Sequence, residues 1–158
     1  MYPRFGHSCV FHENQLIIFG GATDYDPIDY LTPRDDLLIY DIEANLFVTE
    51  KCYQKADLKL RRNHIAEMIG QHMLIYGGID ENKNYLSDMW ILEINKFLWL
   101  KIEVRANIKT PAVAYHSSVM AYLKEKKENV NFRIFSFNDI ENVKNSKKVK
   151  YFKLKNIS

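Results

Sequence analysis

Residues 16–21 read LIIFGG, and residues 74–78 read LIYGG. An apolar run closed by paired glycines therefore occurs twice, with Gly77 standing fifty-seven positions after Gly20. A short continuous apolar run bounded by turn residues predicts a buried strand. Glycines at its end supply positive φ, or room for a neighbouring backbone that a Cβ would block. The same signal at such a distance predicts a repeat, and a repeat changes the expected fold of the whole chain.

Further landmarks keep the same frame. RFGHSCVF at 4–11 is echoed by RNHIAEMI at 62–69 and by AYHSSVMAY at 114–122, so His7, His64 and His116 share one position. Gly20 and Gly77, each followed by a second glycine at Gly21 and Gly78, stand thirteen residues after the first two histidines. DLLIYDI at 36–42 is matched by DMWILEI at 88–94 and more loosely by KVKYFKL at 148–154. Phe47 and Trp99 follow Asp41 and Glu93 by six residues. LLIY and MWIL are apolar on both alternating faces, the pattern of strands inside a stack of sheets. No amphipathic helix of useful length is predicted.

These landmarks resemble the kelch repeat, whose unit carries Arg-x-Gly-His-Ser, a strand ending in Gly-Gly, an Asp-Leu-x-x-Tyr-Asp strand and a following Trp. The first unit matches with Phe47 in place of the Trp, and the second matches with Asn63 where a glycine is expected. The third keeps His116 and Ser117, but IFSF at 134–137 replaces the glycine pair. The resemblance implies an all-β, kelch-type β-propeller of about three four-stranded antiparallel blades, the last one incomplete. Blade one is expected over 1–55, blade two over 56–107 and a degenerate blade three over 108–158, the three forming a single partial propeller. Kelch proteins mostly act as platforms for other proteins.

A propeller hides its blade faces by closing a ring of four to eight blades. About three blades leave two faces bare, and covering one is worth about 10 kcal/mol for ~400 Å² at ~25 cal/mol per Å². The expected remedy is the remainder of a longer propeller, or another chain that completes the ring, a second copy in a homo-oligomer being one such chain. Charge distribution fits the second. Residues 1–50 hold two basic and nine acidic side chains, whereas 51–158 hold twenty and eleven, giving net −7 and +9 within an overall +2.

The small net charge removes a global argument for nucleic acid or an acidic lipid surface. The six lysines of 144–155 decorate a strand, where lysine resists unwanted edge pairing. Cys9 and Cys52 form neither a metal-ligand spacing nor a disulfide framework, and no run approaches the ~20 apolar residues of a membrane span. A soluble, cytoplasmic protein is expected, with no cofactor and no metal.

Candidate binding residues sit on the loops between strands 2 and 3 and on the linkers to the next blade, which emerge on one face of the disc. The long loop of blade one offers Asp24, Tyr25, Asp26, Asp29 and Tyr30; its carboxylates lack the Gly and Glu of a calcium loop. The linkers add Tyr53, Lys59, Arg61, Arg105 and Lys109, because tyrosine and arginine dominate the energetic centres of interfaces. Arg62 is read as the repeat-frame arginine with a packing role. The three histidines belong to different blades, so each is expected to hydrogen-bond its own blade rather than share a metal. No nucleophile elbow, phosphate loop or carboxylate pair is present, and no enzyme is predicted. The alternatives are a structural component of a cytoskeletal-type assembly and, remotely, a fragment of a copper enzyme resembling galactose oxidase.

Overall fold

The structure is a computed structural model that describes residues 3–23, 37–49, 57–103, 110–124, 130–137 and 150–154. The chain divides into two compact units, Met1–Ala114 and Tyr115–Ser158. Among the described residues there is no α-helix, only a 3₁₀ turn at Ile94–Lys96.

The first unit holds two four-stranded antiparallel sheets. β1 (Ser8–His12), β2 (Gln15–Phe19), β3 (Leu37–Asp41) and β4 (Leu46–Thr49) pair in sequence order. β5 (Ile65–Ile69), β6 (His72–Tyr76), β7 (Met89–Glu93) and β8 (Leu98–Lys101) repeat that order. Local chemistry sets the turns. Glu13 and Asn14 both take positive φ, 42° and 64°, the two-residue hairpin whose twist matches that of its strands. The Asp41 carboxylate accepts the Ala44 N–H at 2.9 Å, and the turn leaves through left-handed Asn45. The second sheet leaves its 3₁₀ turn the same way, through Phe97 at φ 48°.

The core lies between these two blades. Val10, Ile17, Phe19, Leu37 and Ile39 of the first face Met73, Ile75, Trp90, Leu92 and Trp99 of the second. The rings of Phe19 and Trp99 lie 4.8 Å apart, tilted by 49°. β7 is buried along both faces, as its unbroken apolar run predicts, whereas β3 becomes half-open from Tyr40 onward.

The second unit is a three-stranded antiparallel sheet of β9 (Ser117–Lys124), β10 (Val130–Phe137) and β11 (Lys150–Leu154), in the order β11-β10-β9. It reproduces the first three strands of a blade; among the described residues it has no fourth. The architecture is thus an all-β partial propeller built from consecutive antiparallel blades.

Candidate partner-binding face

The two blades of the first unit are joined at the glycine pairs. Gly20 has φ +66°, and a Cβ there would stand 2.5 Å from the Arg61 carbonyl oxygen and 2.9 Å from Cε1 of the His64 ring. No side chain fits, so the next blade can approach closely. The Gly21 N–H donates to the Arg61 carbonyl at 3.0 Å, and the Asn63 N–H donates to the Gly6 carbonyl at 2.7 Å. Buried His64 Nε2 and the Ser8 hydroxyl share a hydrogen bond of 2.8 Å, and the His64 ring meets the Phe19 ring edge-on at 5.6 Å.

Arg61 carries the linker into blade two. Its side chain has no exposed surface. Nη1 donates to Asp88 Oδ1 at 2.9 Å and to the Gly77 carbonyl at 3.1 Å, Nη2 donates to Asp88 Oδ2 at 3.0 Å, and Nε donates to the Lys59 carbonyl at 3.2 Å. Burial alone would raise the Asp88 carboxyl. The Arg61 hydrogen bonds and charge, with the Trp90 indole N–H at 2.7 Å, outweigh it and hold Asp88 below the usual carboxylate range. One guanidinium thereby ties together the linker, the glycine pair and the start of β7.

The loop between β6 and β7 is organised by a buried acid, Asp80. Its carboxylate accepts the N–H groups of Asn82 at 3.0 Å and Asn84 at 2.8 Å, the Asn84 side-chain amide at 3.2 Å, and an ion pair from Lys59 at 3.2 Å. Burial opposes ionisation of Asp80, but the Asn84 and Lys59 donors dominate and its pKa lies below the ordinary value. The turn is fixed from beneath, yet Glu81, Asn82, Lys83, Asn84 and Tyr85 stand exposed above it. Between turn and linker lies a hollow of about 270 Å³ lined by Leu58, Lys59, Leu60, Asp80, Glu81 and Asn82. Mixed charges, amides and one projecting phenol on rigid backbone suit recognition of a polypeptide surface. Among the described residues no three His, Cys, Asp or Glu side chains converge to hold a metal ion.

Of the candidate binding residues, Asp24, Tyr25, Asp26, Asp29, Tyr30, Tyr53, Arg105 and Lys109 lie outside the described residues. Lys59 borders the hollow. Arg61 is a correction: it is fully buried in the Asp88 pair and presents nothing to a partner. It is also the true frame arginine, since Arg4 Nη1 donates to the Gly20 carbonyl at the same 3.1 Å as Arg61 does to that of Gly77. Arg62, by contrast, bridges to Ile79 as Phe5 bridges to Ala22. Asn63 replaces the repeat glycine yet keeps its backbone, with φ 54° against 66° for Gly6, and Tyr115 repeats it at 55°. His64 corrects the expectation that each histidine bonds its own blade, because its partner Ser8 belongs to the preceding one. His116 is buried and its pKa is pushed down to about 4 by that burial. The Asp80 turn was missed in the sequence; an acid followed by two amide side chains at 80–84 is its one signal.

A solved structure shares this fold. The chain superposes on the solved structure of YjhT, a kelch-type propeller, with a TM-score of 0.62 at 12% identity, covering 99% of this chain and 53% of that one. It is 27% identical over 116 residues to acyl-CoA-binding domain-containing protein 5 of Arabidopsis thaliana, which is 73% of this chain and 17% of that protein. It is 33% identical over 110 residues to an F-box/kelch-repeat protein of the same plant, 58% of this chain and 20% of that protein. The chain thus spans a fifth or less of the length of these curated relatives. The repeat landmarks, the blades and a match to the KLHDC2/KLHL20/DRC7 Kelch-repeats domain over residues 1–132 place this chain in the kelch-repeat family.

Proposed function

We propose that the chain is a cytoplasmic, non-catalytic platform that binds a protein partner through the loops and linkers on one face of its blades. Kelch-repeat domains generally serve as protein-interaction scaffolds and are mostly without catalysis of their own. The observation that carries the reading is the Asp80 turn, held by four contacts to its carboxylate while five consecutive side chains from Glu81 to Tyr85 face solvent. A preorganised loop loses little entropy on binding, which is how rigid scaffolds gain affinity. The acidic and aromatic loop residues Asp24, Tyr25, Asp26, Asp29 and Tyr30, with Tyr53 and Arg105, extend the same proposal.

The test is capture of a partner by the immobilised chain, followed by substitution. Tyr85→Ala and the triple change Asp24→Ala, Tyr25→Ala, Asp26→Ala are expected to reduce a stoichiometric partner at least tenfold. Glu13→Ala, in the hairpin turn between β1 and β2, is expected to leave it unchanged. Equal loss in all three variants, or turnover of a small molecule accompanied by bound copper or iron, refutes the reading.

A further inference from the structure

The hollow between Lys59 and the Asp80 turn is not something the repeat requires. The glycine pairs and the bridges Phe5–Ala22 and Arg62–Ile79 align the two blades of the first unit, and in that frame Thr23 stands where Asp80 does and Pro3 where Leu60 does. Packing of a blade therefore does not account for an acid at 80 or for its pairing with Lys59.

Size and charge narrow what fills it. A volume of about 270 Å³ lies under the ~300–1,000 Å³ of sites that take a whole small molecule, so the hollow suits one side chain of a larger partner. Three charged side chains line it. Asp80 already accepts four donors, the Asn82 and Asn84 N–H groups, the Asn84 amide and Lys59, which occupies the lone pairs of a carboxylate. Lys59 Nζ stands 3.2 Å from that carboxylate, and the two charges offset each other. Glu81 is left uncompensated. It is exposed, and among the described residues neither its carboxylate nor the Asn82 side-chain amide has a hydrogen-bond partner. Beside them the wall is aliphatic, with Leu58 buried and Leu60 half-buried.

A long stem that carries a cation satisfies both features at once, because such stems lie along apolar surface while the charged head stays on water or a counter-charge. Arginine suits the site better than lysine, since its planar fork donates to two neighbouring oxygens together. We propose that the hollow receives one arginine side chain of the partner polypeptide, its stem against Leu58 and Leu60 and its guanidinium on the Glu81 carboxylate and the Asn82 side-chain carbonyl. An acidic side chain is disfavoured: it would meet Glu81 and draw Lys59 away from Asp80, leaving a buried carboxylate short of a donor. Such an anchor rests on the platform reading, since it presupposes a polypeptide partner at this face.

Selection of random-sequence peptides on the immobilised chain, followed by fluorescence anisotropy of those recovered, tests it. The expected peptides share one arginine at a fixed place. Replacing it by citrulline, which keeps the shape and removes the charge, is expected to weaken binding about ten- to hundredfold, the worth of a hydrogen bond to a charged group. Glu81→Gln, a change at an exposed position, is expected to weaken it by a similar factor, and the two changes together by no more than either alone. Added salt is expected to loosen the wild-type complex, and the Leu58 and Leu60 methyl resonances are expected to shift on titration with the peptide. Peptides without a preferred arginine, or peptides that lose affinity with Tyr85→Ala but not with Glu81→Gln, overturn the anchor and leave the platform standing. An acidic anchor that depends on Lys59 overturns it too. Recovery of no binding peptide also overturns the anchor, whereas capture of a whole partner decides the platform separately.

Discussion

Replacing Arg61 by alanine should be the most damaging single polar change in the first unit. The side chain has no exposed surface and makes four hydrogen bonds, two of them to Asp88 in a bidentate pair. Alanine removes the guanidinium partner of the Asp88 carboxylate, whose side chain is only 21% exposed in the folded chain, and strips a donor from the Gly77 carbonyl. Breaking a buried pair from one side costs about 3–5 kcal/mol, a large share of the ~5–15 kcal/mol of a typical domain. At ~2–4 °C per kcal/mol for a chain of this size, the melting temperature should drop by about 6–20 °C. Thermal and urea unfolding followed by tryptophan fluorescence checks this, since Trp90 donates to Asp88 and Trp99 sits in the inter-blade core. The pH dependence adds a second condition. Asp88 has a lowered pKa in the folded chain, so its pairing contributes above the unfolded value of 3.8 and is lost as pH falls through the folded value. The gap between wild type and Arg61→Ala should therefore narrow in strong acid. A loss below about 1 kcal/mol at neutral pH, the worth of an ordinary surface pair, refutes the reasoning.

His116 should make the chain acid-sensitive over a different range. Its folded pKa of about 4 lies below the ordinary 6.5, so the unfolded chain binds the proton more readily. Stability is then complete above pH 6.5 and declines toward pH 4, by up to about 3 kcal/mol, and His116→Gln should flatten that limb of a urea-midpoint profile. Trp99→Ala should cost about 3–5 kcal/mol, whereas Phe47→Ala at the equivalent position of blade one should cost the lone chain under about 1.5 kcal/mol, measured in dilute solution. Gly20→Ala combines an unfavourable φ with a 2.5 Å approach to the Arg61 carbonyl and should lose more than about 2 kcal/mol by the same assay.

Much of the fold is legible because its signals are local. The LIIFGG and LIYGG runs predict strand and turn without any knowledge of a neighbour, and their spacing predicts a repeat whose resemblance to the kelch unit implies blades. Asn63 in place of glycine looked like a defect, yet asparagine tolerates the left-handed backbone that the position needs. The site was less legible. Arg61 and Arg62 are adjacent and chemically identical, and only the reach of the Arg61 guanidinium to the Gly77 carbonyl tells the frame arginine from its neighbour. The loop of Asp80 reads as a solvated polar string until its carboxylate is seen collecting donors from beneath.

Periodicity and turn chemistry determined, without coordinates, that this chain repeats a unit of short buried strands, and the kelch resemblance of those units implied antiparallel blades. Apolar alternation and turn chemistry act over a few residues, so they are written in order along the chain. Tertiary structure alone decided that His64 bonds Ser8 fifty-six residues away, that Arg61 is spent inside the fold, and which face of blade one packs on blade two. Those outcomes depend on which blade lies beside which. Burial and pairing across a blade junction are properties of two distant segments at once.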